Sequence, residues 1–209
     1  MPPSGEPTAP HLDPTSWGRL IESIDAANVF VLLSGWLGPK ARLEVSVEDL
    51  WQETLWMAWR DRQQHQWVNL TKYRAWLLAI ARNRVLDVVR NASRLKRGGT
   101  VRTSQFSALA GSDSVSGYLP PQSTTPSRTA SHLERARLLE RALGALDESL
   151  RDLVRLRLFE ELPTAVAAAQ LGIPLSTAKE RFVRGTQLYR AELRRLLGRD
   201  SDSTTGSSS

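Results

Sequence analysis

VEDLWQETLWMAW, residues 47–59, brings an apolar residue back every three or four positions, the period of an amphipathic helix and not of a strand. Set at ~100° per residue, Leu50, Trp51, Thr54, Leu55 and Ala58 fall on one side, and Asp49, Gln52, Glu53, Trp56 and Arg60 on the other. The spacing predicts a helix from Ser46 to Arg60, with Ser46 as N-cap and Glu48 and Asp49 beside the positive helix end. A polar helix face is ordinarily just solvated. Trp56 does not fit that reading, because a large aromatic among acidic and amide groups is the composition of a protein-binding surface.

The same helical period extends both ways. Upstream, Trp17, Leu20, Ile24, Ala27 and Val31 predict a helix from Ser16 to Trp36, capped by Ser16 and stopped by Gly38-Pro39. Downstream, Leu77, Ala81, Val85 and Val88 form the core stripe of a helix from Thr71 to Asn91. Trp76, Asn83, Asp87 and Arg90 lie opposite, so a second tryptophan sits on a polar face. Arg82, Arg84, Arg90, Arg94, Lys96, Arg97 and Arg102 follow, against a single acid, Asp87; this local excess of +6 equals that of the whole chain. Cations that hold a phosphate backbone, an aromatic face that stacks and an amide that reads a base edge suit single-stranded nucleic acid.

Composition agrees. The chain has 209 residues, 41% hydrophobic and 24% charged, enough for helical cores and too apolar for wholesale disorder. Its pI near 10.3 points to a polyanionic partner. Cysteine is absent, and His11, His65 and His132 are scattered, so no metal or cofactor is expected. No run approaches the ~18 apolar residues of a membrane span, and the first 15 residues have no secretory pattern, so a cytoplasmic chain without membrane insertion is expected.

Residues 1–15, rich in Pro, Ser and Thr, read as a disordered leader. A first domain is expected over 16–97. In the next 34 residues, 98–131, 20 are Gly, Pro, Ser or Thr, which describes a flexible linker. Helical spacing resumes over 132–197, and 198–209 reads as a disordered tail. All seven tryptophans precede residue 77, so the two helical blocks are not repeats. The expected fold is all-α, two small helical domains on a tether.

In the second domain, one helix carries Leu133, Ala136, Leu139, Leu143 and Leu146, and Asp147 caps another that carries Leu150, Leu153, Val154 and Leu158. LPTAVAAAQLGIPLSTAKERFVRGTQLYRAELRRLL, residues 162–197, then has the order of a helix-turn-helix: an alanine-rich helix, a turn at Gly172, and a long basic helix. Ala165, Ala167 and Ala168 permit a close crossing. On the last helix Ala178, Phe182, Gly185, Tyr189, Leu193 and Leu196 line one side. Opposite lie Ser176, Thr177, Glu180, Arg184 and Gln187, with Lys179 and Arg181 at the margins. Such a face enters a major groove, where Arg forks onto guanine, Glu accepts from cytosine, and Ser, Thr and Lys hold phosphates.

Residues 47–59 resemble the pattern "EDLxQExxxxAW" and residues 73–90 the pattern "FRAWLxxIARNxxxDxxR" of region 2 in bacterial sigma-70-type factors of the extracytoplasmic-function (ECF) class. Residues 162–197 resemble region 4, near "LSYEEIAExLGISxGTVKSRLxRA", with Thr177, Lys179, Arg181 and Arg184 matching. The chain departs from that pattern at Pro163 and Pro174, where Ser usually caps, at Ala165 and Val166, where an acidic pair usually stands, and at Glu180, which replaces a small residue. The resemblance implies a sigma factor and not an enzyme. Region 2 would bind the β′ clamp helices of core RNA polymerase through Asp49, Gln52, Glu53 and Trp56. It would recognise and open the −10 promoter DNA with Trp76, Arg82, Asn83, Asp87 and Arg90. Region 4 would bind the −35 element with Ser176, Thr177, Lys179, Glu180, Arg181 and Arg184, and the β flap. An anti-sigma factor is a further partner that the class allows.

A polymerase-independent helix-turn-helix regulator is the alternative. Its usual receiver domain needs a parallel sheet, for which the Trp-rich first block has no pattern. A nucleic-acid enzyme finds no Walker loop, metal cluster or triad; the Asp49/Glu53 pair is better explained by a binding face.

Overall fold

A computed structural model describes residues 9–95 and 126–205, without the side chains of 39–40, 92–95, 126 and 199–205. The described residues are helical, with no strand among them. The described residues divide into two compact units, 9–26 with 33–95 and 126–130, and 131–205 with 27–32.

The first helical block differs from expectation at its start. Helix α1 spans Pro14–Glu22, and its N-cap is Asp13, whose carboxylate accepts the Ser16 N–H at 2.7 Å. Pro14 sits in the first turn, where a missing N–H costs nothing. The helix expected to run on to Trp36 ends instead at Ser23. There the backbone N–H reaches the Arg19 carbonyl and the hydroxyl donates to the Leu20 carbonyl at 2.6 Å, which satisfies carbonyls that the next turn would have taken. Helix α2, Ala26–Ala41, then begins. The apolar period crosses the break because Ile24 and Ala27 are both buried. Gly38, at φ 67° and ψ 169°, is non-helical, so the run from Ala26 breaks at Gly38-Pro39 as the sequence predicts, and a last helical turn to Ala41 follows the kink.

Helix α3, Val47–Arg60, follows the sequence reading closely: the Ser46 hydroxyl accepts the Asp49 N–H at 3.1 Å, and Leu50, Trp51, Thr54, Leu55 and Ala58 are buried. Thr54, the one polar member of that stripe, donates its hydroxyl to the Leu50 carbonyl at 2.7 Å. A short 3-10 turn, Arg62–Gln64, leads to helix α4, Leu70–Leu95. The Asn69 side chain caps α4, accepting the Lys72 N–H at 2.9 Å. Tyr73, Leu77, Ala81, Val85 and Val88 of α4 are buried, and α3 packs against α4.

The expected leader is packed where it is described. Residues 1–8 lie outside the described residues, but His11 is 1% exposed, so the chain is already packed before residue 15. Of the expected linker, 98–125 lie outside the described residues, while 126–131 open helix α5, Pro126–Gly144.

In the second unit, Arg151 closes the end of α5, its guanidinium donating to the carbonyls of Leu143, Gly144 and Leu146. Helix α6, Glu148–Val154, starts at Asp147, whose carboxylate makes no cap bond. It widens into a π turn, Arg155–Phe159. That extra residue per turn rotates the chain, so Leu156 and Phe159 enter the core and Leu158, expected there, is exposed. Helix α7, Thr164–Gln170, meets α8, Leu175–Thr205, across a turn in which Gly172 takes φ 64°. A positive φ is what only glycine adopts without strain. Ala167, Ala168 and Ala178 are buried together with Leu153 and Leu156, whereas Ala165 is exposed. Helix α8 passes beyond Leu197 into the expected tail; residues 206–209 lie outside the described residues.

Candidate polymerase and nucleic-acid interfaces

The outer face of α3 is partly closed. Asp49 and Gln52 are exposed, and Trp56 is half-buried with the Arg60 guanidinium 5.1 Å from its ring centre. Arg60 also pairs with Asp61 through two bonds of 2.6 and 2.7 Å, which holds the Asp61 carboxyl below its ordinary range. Glu53 differs from expectation. It pairs with Arg84 of α4, the two side chains being 15% and 19% exposed. A residue placed outward by helical phase alone is therefore an α3–α4 tie, because α4 crosses beside it.

Helix α4 presents Arg82, Asn83, Asp87 and Arg90 to solvent. Arg82 lies 5.8 Å from the Trp36 ring, and Arg90 and Asp87 form an open pair at 3.9 Å. Arg84 is spent on Glu53, and the side chains of Arg94, Lys96, Arg97 and Arg102 lie outside the described residues. Trp76 is not a bare platform. The His65 ring stacks on it at 4.4 Å and 18°.

That contact belongs to an aromatic cluster that the sequence reading missed. His11 stacks on Trp67 at 5.6 Å and 15°, and its Nε2–H donates to the His65 carbonyl at 2.9 Å. Tyr73 lies at the centre, within 5.7 Å of His11, His65, Trp67 and Trp76. Burial pushes the Tyr73 phenol far above its usual range; burial first, and then the neighbouring His11, hold the His65 imidazole below its own. Nothing local in the Pro/Ser/Thr-rich leader marks His11 as a core residue.

In the second unit, one helix serves core and surface together. Ala178, Gly185, Tyr189 and Leu196 are buried, with Phe182 and Leu193 half-buried. Burial pushes the Tyr189 phenol up to about 12. The Arg157 guanidinium lies 5.0 Å from the Phe182 ring and donates to the Leu162 carbonyl, so it ties α8 to the chain before α7. On the other side Ser176, Lys179, Glu180, Arg184 and Gln187 are exposed, and Thr177 and Arg181 half-exposed. Val183, 57% exposed, shares this face and was passed over; its position three after Glu180 was the available signal.

No single described helix is long and apolar enough to cross a membrane, and no group of three or more described His, Asp or Glu residues is placed to hold a metal ion.

Comparison with known proteins agrees with both units. Residues 35–95 match the family model for sigma-70 region 2, and residues 136–187 match that for sigma-70 region 4. The chain is 32% identical over 152 residues, 71% of its length and 75% of the relative's, to "ECF RNA polymerase sigma factor SigL" of Mycobacterium tuberculosis, in strains Erdman and Oshkosh alike. With both regions present in order, the chain belongs to the ECF class of sigma-70-type factors, which direct RNA polymerase to promoters.

Proposed function

We propose that the two units divide the work of promoter recognition by the state of the DNA. The first unit docks the β′ clamp helices through Asp49, Gln52 and Trp56, with Glu53 supporting that face from beneath. It holds the opened −10 strand along Trp76, Arg82, Asn83, Asp87 and Arg90. The second unit reads the −35 duplex with Ser176, Thr177, Lys179, Glu180, Arg181 and Arg184, and engages the β flap. Val183 adds an apolar contact of the kind that selects a thymine methyl.

The observation that carries this reading is the open face of α8, polar and exposed while the opposite side of the same helix closes a core. A helix packed that way is fixed in rotation, which base reading requires. The chain supplies binding and orientation only and leaves all chemistry to core polymerase, with which it acts in the cytoplasm. A regulator working without polymerase would have no use for the α3 face.

Transcription in vitro with purified core polymerase and a genomic promoter library tests the reading. Initiation at a restricted promoter set sharing −35 and −10 sequences is expected. Specific binding of the isolated chain to duplex sites, with no effect on core polymerase, would overturn it in favour of the regulator.

A further inference from the structure

The most unusual packing in the first unit lies before α1. His11 is buried, accepts nothing at Nδ1 within the described protein, and reaches 54 residues along the chain to a backbone carbonyl in the α3–α4 loop. That loop, residues 61–69, has no regular structure after its 3-10 turn. Val68 is exposed at its tip, and Asn69 is committed to capping α4. Its first half is tied to α3 by the Arg60–Asp61 pair and by Arg62, whose guanidinium donates to the Trp59 carbonyl at 2.5 Å and lies 3.8 Å from the Trp59 ring. Beyond the His11 bond to the His65 carbonyl, residues 65–68 are anchored by rings, Trp67 on His11 and His65 on Trp76. A loop without internal ladder bonds is held only by such contacts.

We propose that residues 9–13 form a strap that sets the α3–α4 loop in place, with His11 as the positioning residue for the surface that receives unpaired promoter DNA. The proposal rests on the −10 reading above. His11 touches no DNA. It fixes the His65 backbone, the His65 ring then covers one side of Trp76, and a base is left a single defined side of that stack. Without the strap, the His65 ring leaves Trp76 and the loop samples many forms, so a base must order the loop as it binds.

The test uses holoenzyme made from the full chain and core polymerase. The probe is a fluorescent single-stranded oligonucleotide carrying the non-template −10 strand of a promoter selected in the transcription experiment. His11→Ala should bind this probe about tenfold more weakly, the scale of one lost buried hydrogen bond that orphans its acceptor. Affinity for core polymerase and for a −35 duplex should be unchanged. His11→Gln places an amide N–H where the imidazole donor stood and should recover most of the loss; His11→Phe keeps a ring without the donor and should not. Hydrogen exchange should quicken at residues 66–70 in His11→Ala while the α3 and α4 amides stay protected. Should alanine instead unprotect α3 and α4, the Gln and Phe variants decide, and equal probe affinity of those two overturns the proposal. Wild-type probe binding by His11→Ala, alongside weakened binding by Trp76→Ala, removes the strap and leaves the −10 reading standing. Wild-type binding by Trp76→Ala removes both.

Discussion

Glu53 and Arg84, 31 positions apart, meet in a half-buried ion pair between α3 and α4, with a second contact from Arg84 Nη2 to Glu53 Oε1 at 3.3 Å. The pair joins the helix proposed to dock polymerase to the helix proposed to hold DNA. Removing either partner leaves a charge only partly reached by water. Glu53→Ala is expected to cost about 1–3 kcal/mol, and Arg84→Ala a similar amount. The double variant should lose less than the sum of the two. Urea denaturation in a double-mutant cycle measures the coupling, and strict additivity would show that the pair contributes nothing.

Glu53→Lys, the obvious disruption of the polymerase face, therefore confounds binding with folding. Asp49→Lys is the cleaner variant, since Asp49 is exposed, its backbone N–H to the Ser46 cap is retained, and its charge at the positive end of α3 is worth only about 0.3–1 kcal/mol. It should weaken core-polymerase affinity about tenfold or more, as a reversed charge in an interface does, with the unfolding midpoint nearly unchanged. Fluorescence anisotropy with labelled chain provides the measurement.

His65 gives the first unit a pH dependence of known sign. Its folded-state pKa is held below the ordinary value, first by burial and then by His11, so the unfolded chain binds the proton more tightly. The contribution of neutral His65 to stability is complete above the unfolded pKa of about 6.5 and is lost as pH falls below it. His11 and the buried Tyr73 phenol are the titratable groups against its ring. NMR titration should find the His65 midpoint below the ordinary histidine range, moving upward in His11→Gln. A midpoint at or above that range would contradict the packing described.

Gly185 marks a close crossing of α8 over α6 in the second unit. A Cβ there would stand 2.8 Å from Val154 Cγ2 and 3.5 Å from the Leu150 Cβ. Alanine would gain roughly 0.5–1 kcal/mol of helix propensity, but overpacking costs about 1–3 kcal/mol, so Gly185→Ala should destabilise the unit. Val154→Ala added to it should restore part of the loss. Calorimetric melting of the wild type and the two variants decides the sign.

On the proposed reading face of α8, base contacts and phosphate contacts are expected to separate. Arg184→Ala should change which −35 sequences are selected from a randomised pool, since a bidentate base contact is worth about 1–3 kcal/mol at one position. Lys179→Ala should select the wild-type motif, bound more weakly and with a salt slope lower by about one. Val183→Ser should relax selection at a position where thymine is preferred. A uniform loss for Arg184→Ala would show that the helix is rotated differently in the groove.

Helix content, the Ser46 cap, the Gly172 turn and the open face of α8 were all legible in local pattern. Each depends on residues one to four positions apart, and a helix converts that spacing directly into a face. The same logic failed where backbone geometry departs from an unbroken α-helix. A serine that bonds back to the preceding turn splits α1 from α2, and a π turn exchanges Leu158 for Phe159 in the core. It failed more completely for pairs brought together from afar. Helical phase places Glu53 outward and says nothing of Arg84, and leader composition says nothing of the pocket that receives His11. Burial and charge pairing are properties of two surfaces meeting, and only the packing of α1, α3, α4 and the loop between the last two brought those surfaces together.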